Sequence, residues 1–97
     1  MAEVIRLDGR GWADVESFYD AFLAAIDAPS WHGHSIDALA DSLIGGGING
    51  VEPPFAVEIL CPARPVPALT ALFDALVGIV DDARALNRPI ALSFVHI

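Results

Sequence analysis

Residues 55–95 read FAVEILCPARPVPALTALFDALVGIVDDARALNRPIALSFV. The first seven are almost continuously apolar, the pattern of a strand buried on both faces in a parallel sheet. Glu58 interrupts that run, so part of the strand is expected to reach water or a partner. Pro65 and Pro67 then introduce a helix, because proline is well tolerated in a first turn. Leu69, Leu72, Phe73, Leu76, Val80 and Ala83 recur along it at helical spacing. Gly78 lies inside at a cost of about 1 kcal/mol and marks a point where the helix can kink. Arg84 and Arg88 fall near its C-terminal end, where the helix dipole favours cations. Pro89 follows, and residues 90–95 read as the last strand. A strand, a long helix and a second strand make a parallel crossover, which is nearly always right-handed.

Working back from this unit, Val4-Ile5-Arg6-Leu7 is short and β-prone, and Asp8-Gly9-Arg10-Gly11 is a turn signal. A helix follows. Val15, Phe18, Tyr19, Phe22, Leu23 and Ile26 form its apolar stripe, while Asp14, Glu16, Asp20 and Asp27 lie off it. Asp14 is placed to cap its N-terminus, and Pro29 is expected to end it. Ser35 caps a second, shorter helix with Ile36, Leu39, Ala40 and Leu43 inward. Gly45-Gly46-Gly47 stops that helix, and a flexible loop is expected over residues 45–54. The order is strand, helix, helix, strand, helix, strand. It predicts one α/β domain over residues 1–97: a small three-stranded parallel sheet covered by helices, with strands near residues 3–8, 55–61 and 90–95.

Composition narrows the function classes. Hydrophobic residues make up 55% of the 97, so the chain can bury a core and disorder is not expected. Five basic residues stand against 13 acidic, a formal net charge of −8, and all five cations are arginine. A phosphate backbone needs a basic surface, so direct nucleic-acid binding is not expected. The same field would speed encounter with a basic protein. Cys61 is alone, so no intrachain disulfide can form, which suits a reducing compartment. The first eight residues carry Glu3 and lack a basic-then-apolar leader pattern. The longest apolar stretch, residues 66–80, is interrupted by Asp74 and is too short for a bilayer. These features predict a cytoplasmic protein with no membrane partner.

The segment at 31–47, WHGHSIDALADSLIGGG, carries the functional signal. Asp37 and Asp41 are four residues apart, on one side of the second helix. At 100° per residue they lie about 130° from the centre of its apolar stripe, so both should point outward. Asp37 is in the first turn, where the dipole stabilises an anion. Ala40 beside Asp41 leaves the surface flat. Two carboxylates on a solvated helix face are common by themselves. Trp31, in a loop with Gly33, adds weight, since exposed tryptophan beside charge is typical of binding surfaces. Tryptophan capping the core is the other reading of that position.

The same residues resemble the barstar family, intracellular inhibitors of the secreted ribonuclease barnase. The shared pattern is Pro29, Trp31, Gly33, then Ile36-Asp37-Ala38-Leu39-Ala40-Asp41-Ser42-Leu43. The opening strand, the Asp8-Gly9 turn and the first helix also fit, and the C-terminal helix and strand fit more loosely. The resemblance implies a barstar-like fold and a one-to-one complex with a small basic, barnase-like ribonuclease. It implies an inhibitor that is not an enzyme, needs no cofactor and protects the producing cell. The carboxylate at Asp41 would stand where an RNA phosphate sits, and Asp37 would be a second anchor. Trp31 would be an interface aromatic, Gly33 would allow close approach, Ala40 and Gly45 would lie in the contact, and Asp82 would be a third acidic contact. Three departures matter. Ser35 replaces a family asparagine, Ala40 replaces a tryptophan, and Gly46 falls where the family has an aromatic. The loop over residues 45–54 is also longer. The target need not be barnase itself.

Other readings stay open on the residues alone. The alternative function is an acidic binding module of the same fold with a basic partner that is not a nuclease. His32, His34, Asp37 and Asp41 hold nitrogen and oxygen donors close in sequence, a set zinc or nickel could use. Nothing in the loop forces them to converge, so no metal site is expected and the loop histidines are expected to be solvated. Acid–base catalysis by the two aspartates would need a concave, partly desolvated site that a short helix does not offer. Cys61 has apolar neighbours and reads as a buried, inert thiol. Gly45-Gly46-Gly47 follows a helix, not a strand, and no lysine is available for a phosphate loop.

Overall fold

The β-prone and helical runs form where their patterns place them. The computed structural model describes residues 3–96. Its elements are β1 (Glu3–Asp8), α1 (Val15–Ala25), α2 (Ile36–Ala40) continued by a π-helical turn (Asp41–Gly45), β2 (Phe55–Cys61), α3 (Pro67–Ala85) and β3 (Ile90–His96). The strands form one sheet in the order β1-β2-β3, and both pairings are parallel.

The sheet is covered on one face only, which corrects the expectation of a middle strand buried on both. In β2, Phe55, Val57, Ile59 and Cys61 are buried, whereas Ala56, Glu58 and Leu60 are partly exposed. The topology explains this. Both crossovers step across the sheet in the same direction, and two crossovers of one hand then lay their helices on the same face. On the open face Glu58 sits in register with Arg6 and lies 3.5 Å from it, so the acidic break in the run has a cross-strand partner. Such an exposed pair contributes little to stability.

The core lies between the covered face and the helices. Phe18, Phe22, Ile26, Leu39, Leu43, Leu69 and Leu76 pack over Ile5, Phe55, Val57, Ile59 and Ile90. Phe18 stacks on Phe22 at 5.2 Å and meets Trp12 edge-on at 5.7 Å. Ile79 joins the buried face of α3, a position the apolar stripe above leaves out. α3 runs unbroken through Gly78.

Helix ends follow local chemistry. Asp14 caps α1 by accepting from the Ser17 amide at 2.9 Å. That helix stops at Ala25, before Pro29: Asp27 takes a positive φ of 53°, and the Ala28 amide returns to the Leu23 carbonyl at 2.9 Å. The chain therefore turns by its own left-handed cap and does not need the proline to stop it. Pro67 opens α3, as expected.

Candidate functional site

The exposed carboxylates and the exposed tryptophan meet on one surface, built from residues 29–35, α2, its π-helical turn and the loop that follows. Ser35 starts α2 by accepting from the Ala38 amide at 3.1 Å. Leu39 and Leu43 turn inward, and Ile36 and Ala40 are partly buried. Asp37 and Asp41 are therefore carried outward, and both are exposed. Trp31 is 73% exposed, which decides against a core-capping role. Gly33 lies close to α2: a Cβ there would sit 3.2 Å from the Ala38 methyl, a tight contact that glycine avoids. Trp31, His32, Gly33, Ala38, Asp41 and Ile48 line a shallow groove of about 110 Å³.

The two loop histidines are not simply solvated, contrary to expectation. His32 is buried at 6% exposure, and its ring nitrogens lie 2.8 Å from the Gly33 carbonyl and 2.9 Å from Ser42 Oγ. A carbonyl only accepts, so Nδ1 carries a proton toward Gly33. His34 reaches back to α1, with Nδ1 2.6 Å from Glu16 Oε2 and its ring stacked on Tyr19 at 5.5 Å. Burial, then the Glu16 charge, pushes the Tyr19 hydroxyl above its ordinary pKa. One histidine thus ties the Trp31 loop to the π-helical turn and the other ties it to α1. Neither tie is visible in local sequence pattern, because each depends on a contact ten or more residues away.

The donor set weighed from sequence does not gather. Among the described residues, Glu16, Asp20 and His34 are the group whose ligand atoms lie within 4.8 Å of one another, and all three are exposed. His32 is committed to Gly33 and Ser42 and does not form such a group with Asp37 and Asp41. The hydrogen-bonded Ser42–His32 pair is not a nucleophile poised for substrate either. Ser42 is 1% exposed, and its hydroxyl lies 3.2 Å from the Leu39 carbonyl, inside the fold. Cys61 is buried, and burial pushes its thiol up, which suits an inert core residue.

The remaining site candidates are placed as follows. Ala40 is half-buried, and Gly45 is exposed at the end of the π-helical turn. Asp82 is exposed near the end of α3, a helix that packs against α2 and the π-helical turn. Gly46 follows with φ 75°, and the guanidinium of Arg88 fills the space where its Cβ would be, 2.5 Å away. Arg88 was expected to serve the dipole of α3. It crosses instead to the π-helical turn, donating to the Leu43 carbonyl at 2.8 Å, and to Glu52 at 2.6 Å.

This surface presents two carboxylates and an indole on a tied-down scaffold, which is a geometry for binding. Among the described residues, no helix is long and apolar enough to cross a membrane. The family model described as barstar, the barnase inhibitor, matches residues 2–96. No curated protein matches the chain.

Proposed function

The chain belongs to the barstar family, and on that premise we propose that it inhibits a small basic ribonuclease by occluding its active site with α2 and the loop before it. The observation that carries this reading is the exposure of Trp31 and Asp41 on one groove, with Asp37 exposed on the same helix four residues before Asp41. Asp41 takes the place of an RNA phosphate and pairs with the enzyme's cationic catalytic groups. Asp37 is the second anchor, and Trp31 supplies aromatic contact. Gly33, Ala40 and Gly45 allow close approach, and Asp82 adds a peripheral acidic contact. The protein performs no chemistry. Its net charge of −8 accelerates encounter with a basic enzyme through long-range attraction.

The small residues at Ala40 and Gly46 remove bulk from the contact surface, so the preferred target is a ribonuclease whose surface differs from that of barnase. The experiment is a titration of RNA cleavage by barnase, and by other small basic ribonucleases, with the purified protein. The expected result is loss of cleavage with a one-to-one endpoint for at least one of them. If none is inhibited while a basic protein without nuclease activity binds the same surface, the chain is an acidic binding module of this fold and not a ribonuclease inhibitor.

A further inference from the structure

Beyond the helix and the tryptophan loop, residues 45–52 share the candidate surface, and their shape is set from outside the motif. Ile48 lines the groove with Trp31 and Asp41. This segment was expected to be flexible, yet it is fastened on both sides. On one side the Gly50 amide donates to the Asp27 carbonyl at 2.9 Å and the Val51 amide to the Ile26 carbonyl at 3.0 Å. On the other side Glu52 holds two groups at once. One oxygen accepts from the Gly47 amide at 2.9 Å and the other from Arg88 at 2.6 Å. Arg88 also caps the Leu43 carbonyl in the π-helical turn, so one guanidinium joins the start of β3 to the end of the helix bearing Asp41 and to the loop bearing Ile48. The arginine side chain is only 23% exposed, and charge-assisted bonds of this length are among the stronger ones.

We propose that residues 45–52 are a third recognition element for the ribonuclease, with Ile48 as its apolar contact and Arg88 and Glu52 as the positioning residues that hold it beside Asp41. This rests on the inhibitor reading above. The physical gain is pre-organisation: a loop already fixed in its bound shape loses less conformational freedom on association. Arginine is required because a forked guanidinium reaches two acceptors in different directions, which an ammonium does not reproduce. The assignment also accounts for Gly46. A side chain there would displace the guanidinium, so glycine accommodates the clamp as well as the positive φ.

The test uses the whole chain and the ribonuclease it inhibits best in the titration above, barnase being the first probe. Ile48→Ala, Glu52→Ala and Arg88→Met are each expected to weaken inhibition about ten-fold, which corresponds to about 1.4 kcal/mol. If the clamp acts through the loop, Glu52→Ala added to Ile48→Ala costs little more than Ile48→Ala alone; a merely structural residue would cost the same in both backgrounds. A second measurement needs no partner. In the free protein, Glu52→Ala should speed hydrogen exchange at the Gly47 amide while leaving the amides in the middle of α3 unchanged. Where Arg88→Met fails to fold, Glu52→Ala decides. If Asp41→Ala weakens inhibition but Ile48→Ala and Glu52→Ala do not, the third element is refuted and the inhibitor reading stands. If the wild type inhibits no ribonuclease, the inhibitor reading fails and this proposal fails with it. Unchanged exchange at Gly47 overturns the positioning role in either case.

Discussion

Replacing Ser42 with alanine tests whether the buried bridge under the tryptophan loop is what holds that loop. In the tautomer that donates from Nδ1 to the Gly33 carbonyl, His32 Nε2 accepts from the Ser42 hydroxyl at 2.9 Å, a proton that the Leu39 carbonyl at 3.2 Å also attracts. Ser42→Ala removes the donor and leaves Nε2 without a partner in a residue only 6% exposed. A typical hydrogen bond contributes about 1 kcal/mol net, but stranding a buried polar atom costs about 1–3 kcal/mol. Ser42 itself is 1% exposed, so water cannot easily take the place of its hydroxyl, and about 2 kcal/mol is expected. For a chain of this size that lowers Tm by roughly 8–16 °C. The assay is thermal and urea unfolding followed by circular dichroism. Adding His32→Phe to Ser42→Ala should recover much of the loss, since the stranded ring nitrogen is removed and the Gly33 carbonyl it also served belongs to an exposed residue that water can reach. A Ser42→Ala variant within about 0.5 kcal/mol of wild type, or a double variant as unstable as the sum of the singles, would refute the reasoning.

Four further outcomes follow from the same structure. Gly46→Ala should destabilise by about 1–3 kcal/mol, measured by urea unfolding, because its backbone, at φ 75° and ψ 177°, lies in a region essentially confined to glycine and Arg88 fills the Cβ position. Leu39→Ala, at 0% exposure, should cost about 2–5 kcal/mol in the same assay through cavity formation. The Arg88 guanidinium holds the Glu52 carboxyl below its ordinary value of 4.5. A depressed folded-state value adds stability above the unfolded pKa and loses it as pH falls through the folded one, so the gap between wild type and Glu52→Gln in Tm should shrink as pH drops below 4.5. The association rate with a basic ribonuclease, followed by stopped-flow fluorescence, should fall steeply with salt, since charge attraction is screened beyond about 8–10 Å at physiological ionic strength.

The fold was legible wherever a pattern is local. The three strands stand within a residue of their expected bounds, because β-prone runs flanked by turn signals are self-evident over five to seven positions. Asp14 and Ser35 were legible as caps because a cap and its helix are adjacent. What failed was what depends on the third dimension. Phe55, Val57, Ile59 and Cys61 face the helices while Ala56, Glu58 and Leu60 do not, and seven near-continuous apolar residues conceal that alternation. The end of α1 was set by Asp27, whose left-handed backbone is a rarer device than the nearby proline. In the candidate site, the outward direction of Asp37 and Asp41 followed from helical phase alone. His32 and Arg88 were misjudged because their partners, Ser42, Leu43 and Glu52, lie 10 to 45 residues away.

The central claim, that Asp41 anchors a ribonuclease, is tested most directly by one comparison: residual RNA cleavage by the inhibited enzyme titrated with wild type, Asp41→Ala and the exposed control Asp20→Ala. On this proposal Asp41 would face the enzyme's cationic groups in the complex, and removing it would strand them, at a typical cost of about 2–5 kcal/mol or more. The barnase–barstar pair is itself the reference case for such charge hot spots, so this size is carried over from that pair. Asp41→Ala should therefore lose at least about 30-fold in affinity. It should fold as stably as wild type or slightly better, because its carboxylate is exposed and repels Asp37. Asp20→Ala should inhibit like wild type. An Asp41→Ala protein that inhibits as tightly as wild type would contradict the account.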